Sequence, residues 1–195
     1  GGIDRNIGDV KNQGIEFSLN YAAISNKNFK WTIDLNGTSY KNRITKLPQK
    51  EINSGVFKWR EGESRYNFWG VEYAGVNKET GNDQYWKNIY ETNEKGEKVV
   101  KERVLTEDYN EVTSDSQKKY LGDAIPALFG GFTNNFSYKG IDLSFMIYYS
   151  IGGKLYDSDY AQMMSYRTGY SMHPDMLDAW TPENTDAKFP RLSNA

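Results

Sequence analysis

The sequence predicts an all-β fold, an antiparallel meander of hairpins whose long loops carry short helices. Two observations predict it: a two-residue alternation of bulky and polar side chains in paired segments, and compact turn sequences between the members of each pair. A third, the unequal length of the connections, narrows the kind of β protein.

The first pair is NQGIEFSLNYAAI at 12–24 and FKWTIDLNGTSY at 29–40. Ile15, Phe17, Leu19 and Tyr21 alternate with Glu16, Ser18 and Asn20; Phe29, Trp31, Ile33 and Leu35 alternate with Lys30, Thr32, Asp34 and Asn36. Successive side chains of a strand point to opposite faces, so each segment is a strand with one greasy side. Ser25-Asn26-Lys27-Asn28 supplies the turn. The stretch 44–62 is charged and turn-rich and reads as a long loop. SRYNFWGVEYAG at 64–75 follows as a third strand, Asn77 to Asn82 as a turn, and DQYWKNIY as an extended segment.

From 91 to 129 the chain is strongly charged without a dominant period, which predicts an exposed loop with at most a short hairpin around Gly96. The alternation then returns. Phe132, Phe136 and Tyr138 lead to Lys139-Gly140, and Ile141, Leu143, Phe145, Ile147, Tyr149 and Ile151 follow; Thr133, Asn135, Asp142 and Ser144 lie between them. Strands at 130–138 and 141–151 with a two-residue turn are expected. Residues 152–190 form another long loop, with a short helix entered at Pro174. About six strands are visible.

Short turns at one end and long loops at the other are what an outer-membrane barrel shows, with strands of about ten residues that alternate apolar outward and polar inward. A soluble β-sandwich has the same alternation. Composition leaves both open. Mean hydropathy is -0.79 despite 15 Tyr, 9 Phe and 5 Trp, and no segment approaches the roughly 18 apolar residues of a spanning helix. A formal charge of -2 with both signs interspersed gives no basic field for nucleic acid. Without cysteine there is no disulfide scaffold and no thiolate chemistry. The chain opens GGIDRN and closes PRLSNA, which read as cuts in a longer sequence.

Four stretches in order, NIGDVKNQGIEFSLNY at 6–21, WGVEYAGVNKETGNDQYW at 69–86, LGDAIPALFGGFTNNFSYKGIDLSFMIYYSIGGKLYD at 121–157 and AWTPENTDAKFPRLS at 179–193, together resemble the C-terminal region of SusC/RagA-type TonB-linked outer-membrane proteins. The region 87–119 matches poorly. The resemblance implies part of a large outer-membrane β-barrel of a Gram-negative bacterium that imports glycans or peptides. It also implies a SusD-like surface lipoprotein and TonB as partners of the full-length parent, with no cofactor. The plug, the TonB-contact segment and most of the barrel lie outside this chain. Phe132, Phe136, Leu143, Phe145 and Ile147 would then face outer-membrane lipid, with Thr133, Asn135, Asp142 and Ser144 facing a wet lumen. The rival reading is a secreted carbohydrate-binding or adhesive β-sandwich.

Candidate chemistry is sparse. His173 is the single histidine, with no second His or Cys to build a relay or a metal cluster. The pairs Glu61/Glu63 and Asp157/Asp159 fit solvated loop charges better than a glycosidase pair, since nothing fixes the required separation. Asn82-Asp83 and Gly122-Asp123 fall outside any Ca²⁺-loop spacing, and Gly152-Gly153-Lys154 lacks the phosphate-loop pattern. Trp86, Tyr90, Tyr166 and Tyr170 fall in or beside long loops, where flat rings stack on sugars or meet a partner, though loop self-packing is the commoner use. Trp31 and Tyr149, near strand ends on the apolar face, suit an interfacial aromatic girdle. No catalytic residue and no metal ligand emerges, and the expectation is a non-enzyme.

Overall fold

A computed structural model describes residues 8–165 and 169–192, and the chain forms two compact units. The first contains the residues up to Phe68 and Gly122–Leu155; the second contains Trp69–Leu121 and the residues from Tyr156 onward.

The first unit is built on a four-stranded antiparallel sheet of order β1-β2-β10-β11: β1 Asp9–Ser25, β2 Phe29–Lys46, β10 Leu128–Tyr138 and β11 Ile141–Ile151. β1 and β2 are longer than the alternation alone indicates, because pairing continues through charged residues such as Lys41 and Arg43. The β10–β11 turn is tight: Lys139 and Gly140 both have positive φ, 50° and 88°, the backbone of a two-residue hairpin whose twist matches its strands. At the β1–β2 turn the Asn26 side chain accepts from the backbone of Asn28 and Phe29 at 3.0 and 2.8 Å. β10 lies beside β2 although the chain from Leu47 to Ala127 intervenes.

That excursion departs from the expected loops. Residues 44–62 hold a small hairpin, β3 Glu51–Ser54 and β4 Phe57–Arg60. The single strand expected at 64–75 is two, β5 Asn67–Gly70 and β6 Tyr73–Val76, which lie in different sheets. Most of the charged stretch 91–129 is ordered: β7 Asp83–Thr92 and β8 Lys98–Thr106 pair as a long hairpin around Gly96, and β9 is Lys119–Asp123. β5 and β9 carry the chain between the units.

In the first unit Ile44 is buried at 2% exposure and Lys58 at 1%. The Lys58 ammonium meets Glu51 at 2.8 Å and the Arg60 guanidinium meets it at 2.7 Å. A buried cation is retained only when paired. Lys58 first, then Arg60, hold the Glu51 carboxyl below its ordinary value of 4.5. A lowered folded-state pKa contributes stability that is complete above the unfolded value and is lost as pH falls through the folded one. We therefore expect stability to decline as pH drops below 4.5, and Glu51→Gln to flatten that acid slope in denaturant titrations at stepped pH.

The second unit centres on the sheet β6-β7-β8 and on Val112, Met176 and Ala179, all buried. A short helix, α1 Ser158–Met163, is capped by the Asp157 side chain, and a 3-10 turn runs Pro174–Asp178. Two of the resembling blocks meet here. Gly81, at φ 72°, leaves room for the Trp180 ring: a Cβ there would lie 2.4 Å from it. Trp180 Nε1 donates to the Lys78 carbonyl at 3.0 Å, and Arg191 N donates to the Gly81 carbonyl at 2.8 Å.

Candidate functional site

The large sheet presents two chemically different faces, and register defines them. Directly opposed residues of an antiparallel pair share a face, so Leu19, Leu35, Phe132 and Ile147 form one transverse row, with Tyr21, Ile33, Asn134 and Phe145 next to it. Trp31, Phe136 and Leu143 make a third row, and Phe29, Tyr138 and Ile141 a fourth. Phe132, Phe136, Leu143, Phe145 and Ile147 therefore lie on one apolar face. That face is uncovered: Ile15 is 75% exposed, Leu143 59% and Ile147 53%.

Its aromatic residues concentrate toward the short turns. Trp31 stacks on Phe136 at 5.5 Å between centroids, Phe29 touches Phe136 and Tyr138 at 6.3 and 6.4 Å, and Phe145 stacks on Phe136 at 6.1 Å. One polar residue sits among them. Asn134 is buried, and its side-chain oxygen accepts from Trp31 Nε1 at 3.0 Å, which meets the rule that a buried amide must be bonded. Toward the long loops, Gly37 and Gly130 face each other across β2 and β10. Phe17 and Tyr149 lie over this glycine pair, and Tyr149 donates its hydroxyl to the Asn36 carbonyl at 2.6 Å.

The opposite face carries a polar ladder through all four strands. Asn20 of β1 donates to Asp34 of β2, Asn135 of β10 donates to the other Asp34 oxygen at 3.1 Å, and Ser144 of β11 donates to Asn135 at 2.6 Å. Asn36 accepts from the backbone of Gly131 at 3.1 Å. Thr133, Asn135, Asp142 and Ser144 are on this face by register. Periodicity reveals such residues as polar, but their linkage needs the non-local pairing of β2 with β10.

The loop aromatics are distributed differently. Trp86 and Tyr90 share one face of β7, with Asn88 between them. The Arg103 guanidinium lies 4.9 Å from the Trp86 ring centroid and pairs with Glu72, so one indole face is occupied by a cation within the unit. Tyr90 donates its hydroxyl to the Ser116 carbonyl, beside Gln117, which clamps Asn88 with bonds of 2.6 and 3.0 Å. Tyr170 is 74% exposed, and Tyr166 lies outside the described residues.

The remaining sequence candidates have structural work. His173 caps the turn at Pro174 by accepting from Asp175 N at 3.2 Å and packs edge-on to Tyr160. The Asp175 carboxylate accepts from the Tyr160 hydroxyl at 2.8 Å, a bond that raises the phenol's pKa. Glu61 accepts from Leu47 N, Glu63 from Asn67, Asp157 from Tyr160 N, Asp83 from Tyr73 and Asp123 from Ile125 N. Among the described residues no group of three or more His, Asp or Glu side chains gathers as a metal site.

No family model matches the chain. It is similar to TonB-dependent receptor P3 of Formosa agariphila, at 29% identity over 96% of this chain and 19% of that protein. It is also similar to TonB-dependent receptor SusC of Bacteroides thetaiotaomicron, at 29% identity over 79% of this chain and 15% of that protein. Among solved structures it matches the RagAB peptide transporter with a TM-score of 0.74 and 26% identity, over 98% of this chain and 21% of the other. The RagAB peptide importer in its closed-closed state matches with a TM-score of 0.73 and 25% identity. The chain thus spans about a fifth of the length of receptor P3 and of the RagAB chain it matches. Its all-β architecture matches part of a TonB-dependent β-barrel, and sequence and fold agree in their likeness: over nearly its whole length the chain is similar to a segment of SusC/RagA-type TonB-dependent receptors.

Proposed function

We propose that this chain supplies a stretch of barrel wall and surface loops to an outer-membrane transporter that imports a nutrient, a glycan or a peptide, into a Gram-negative bacterium. One observation carries the reading: a single-layer sheet with an uncovered apolar face and a hydrogen-bonded polar face. The apolar run of β11 from Ile141 to Ile151 is ten steps long. At about 3.3 Å per residue and a tilt of about 40°, it rises about 25 Å, the height of the lipid-facing band of such barrels. A soluble sandwich would bury Ile15, Leu143 and Ile147 under a second layer.

In this reading Phe132, Phe136, Leu143, Phe145 and Ile147 meet lipid tails, the ladder Asn20-Asp34-Asn135-Ser144 lines a wet lumen, and Trp31 and Tyr149 sit at the two interfaces. A SusD-like surface lipoprotein and TonB act on the full-length protein, and the chain does no chemistry of its own. Of the loop aromatics singled out in the sequence, Tyr170 is the exposed one among the described residues and stands open to substrate or lipoprotein. Tyr90 is engaged within its own unit.

The test uses the full-length protein carrying this chain, with Trp31 as its sole tryptophan, in vesicles with acyl chains brominated at set depths. Strong quenching of Trp31 by bromine near the headgroup, weakening toward the bilayer centre, is the expected result. Emission indifferent to bromine at every depth would refute the reading.

A further inference from the structure

We propose that the loop-bearing end of the apolar face binds the phosphorylated headgroup of a membrane lipid; this rests on the reading that the face meets lipid. The face changes character within one register step. Up to Ile15, opposite Ser39, it is apolar; beyond that row come Gln13 opposite Lys41, then Lys11 opposite Arg43. No bulge intervenes, so all of these side chains share the face of Phe17 and Leu19.

Lys11, Lys41 and Arg43 are exposed and form no ion pair among the described residues. Like charges directly opposed across two strands repel, and an anion supplied from outside the chain would relieve that repulsion.

The same residues border a cleft of about 1030 Å³ within the first unit. Lys154 adds a fourth cation, and Ile15 and Pro126 add apolar lining, while Tyr40 and Asn42 reach the cleft from the opposite face of β2. Its two carboxylates, Glu63 and Asp123, are held by local bonds from Asn67 at 3.1 Å and Ile125 N at 2.9 Å. The four cations therefore exceed the carboxylates by two.

Depth decides between a lipid and a free anion. The rows of Lys41 and of Lys11 with Arg43 stand two and four residues beyond Ile15, about 7 and 13 Å along the strand. At a tilt of about 40° that is about 5 and 10 Å above the apolar edge; the headgroup layer that brings a 30 Å core to about 40–45 Å is about 5–7.5 Å deep on each side, so Lys41 stands within it and Lys11 and Arg43 stand just past its outer rim, a distance their long side chains can span. An apolar floor below and cations at phosphate height above fit an amphiphile.

The experiment reconstitutes the full-length protein carrying this chain into nanodiscs of mixed phosphatidylglycerol and phosphatidylcholine, and counts retained lipids by native mass spectrometry. About a tenfold enrichment of phosphatidylglycerol is expected, falling to within about twofold in Lys11→Ala/Lys41→Ala/Arg43→Ala and weakening with salt. Lys30→Ala, on the opposite face, should leave it unchanged. Brominated-lipid quenching of Trp31 is read on the same samples. Quenching without enrichment, or enrichment that survives the triple variant, overturns the headgroup site while leaving the lipid-facing reading intact. Loss of enrichment in millimolar inorganic phosphate would assign the site to the free anion and overturn the lipid. An unquenched Trp31 overturns both readings.

Discussion

Phe145→Arg is expected to abolish stable insertion of the full-length protein, whereas Ser144→Arg, one residue earlier, should leave most of it folded. Phe145 lies near the middle of the apolar run of β11, on the face shared by Phe136 and Ile147. If this face meets lipid as proposed, an arginine at bilayer mid-depth costs about 2–4 kcal/mol, and the lost ring contact with Phe136 adds about 0.5–1.5 kcal/mol. Ser144 is on the ladder face, where its substitution loses the 2.6 Å bond to Asn135, a net loss of about 1 kcal/mol. Protease-resistant protein in isolated outer membranes, compared between the two variants, reads the difference. Equal losses would mean that the two faces are not lipid and lumen.

The second large effect belongs to the glycine pair. A Cβ on Gly130 would sit 2.1 Å from the Asn36 carbonyl oxygen and 2.7 Å from the Tyr149 hydroxyl. Neither the backbone oxygen nor the bond between those two groups can give way cheaply. Gly130→Val should therefore destabilise the sheet by about 3 kcal/mol, from overpacking and the lost hydrogen bond together. Gly131 is the control. Its added Cβ would meet the Asn36 and Met146 side chains at 3.4 Å, a contact those side chains can absorb, so Gly131→Ala should change stability by less than about 1 kcal/mol. Denaturant titration of the vesicle-inserted protein separates them.

The hairpins were legible because local chemistry agrees with the fold. Alternation over 14–24, 29–40 and 130–151, and the Lys139-Gly140 turn, are properties of neighbouring residues. The β7–β8 hairpin was hidden in the charged stretch for a specific reason. A bulge lets Ile89 pair with Glu102 but Tyr90 with Val100, so Val100 and then Arg103 and Leu105 share a face while the two-residue period breaks at Lys101. Pairing of β2 with β10 spans the whole intervening excursion, so no window of sequence could show that Asp34 and Asn135 meet, or that Gly37 faces Gly130. The indole of Trp31 was expected at an interface, but its bond to Asn134 depends on the same distant register. Of the loop aromatics, Trp86 was a candidate for ligand or partner contact with packing inside its own loop as the commoner use, and the partner that covers one of its faces, Arg103, was hidden in a strand the charge pattern disguised.

The most direct test of the central claim is a nitroxide scan of β11 from Ile141 to Ile151 in the full-length protein reconstituted in lipid, reading collision with oxygen and with a water-soluble nickel chelate at each position. The account predicts a two-residue oscillation in which labels at Leu143, Phe145 and Ile147 favour oxygen and those at Asp142, Ser144 and Met146 favour nickel. Labels at the odd positions that are immobile and reached by neither reagent would mean that protein, not lipid, covers the apolar face.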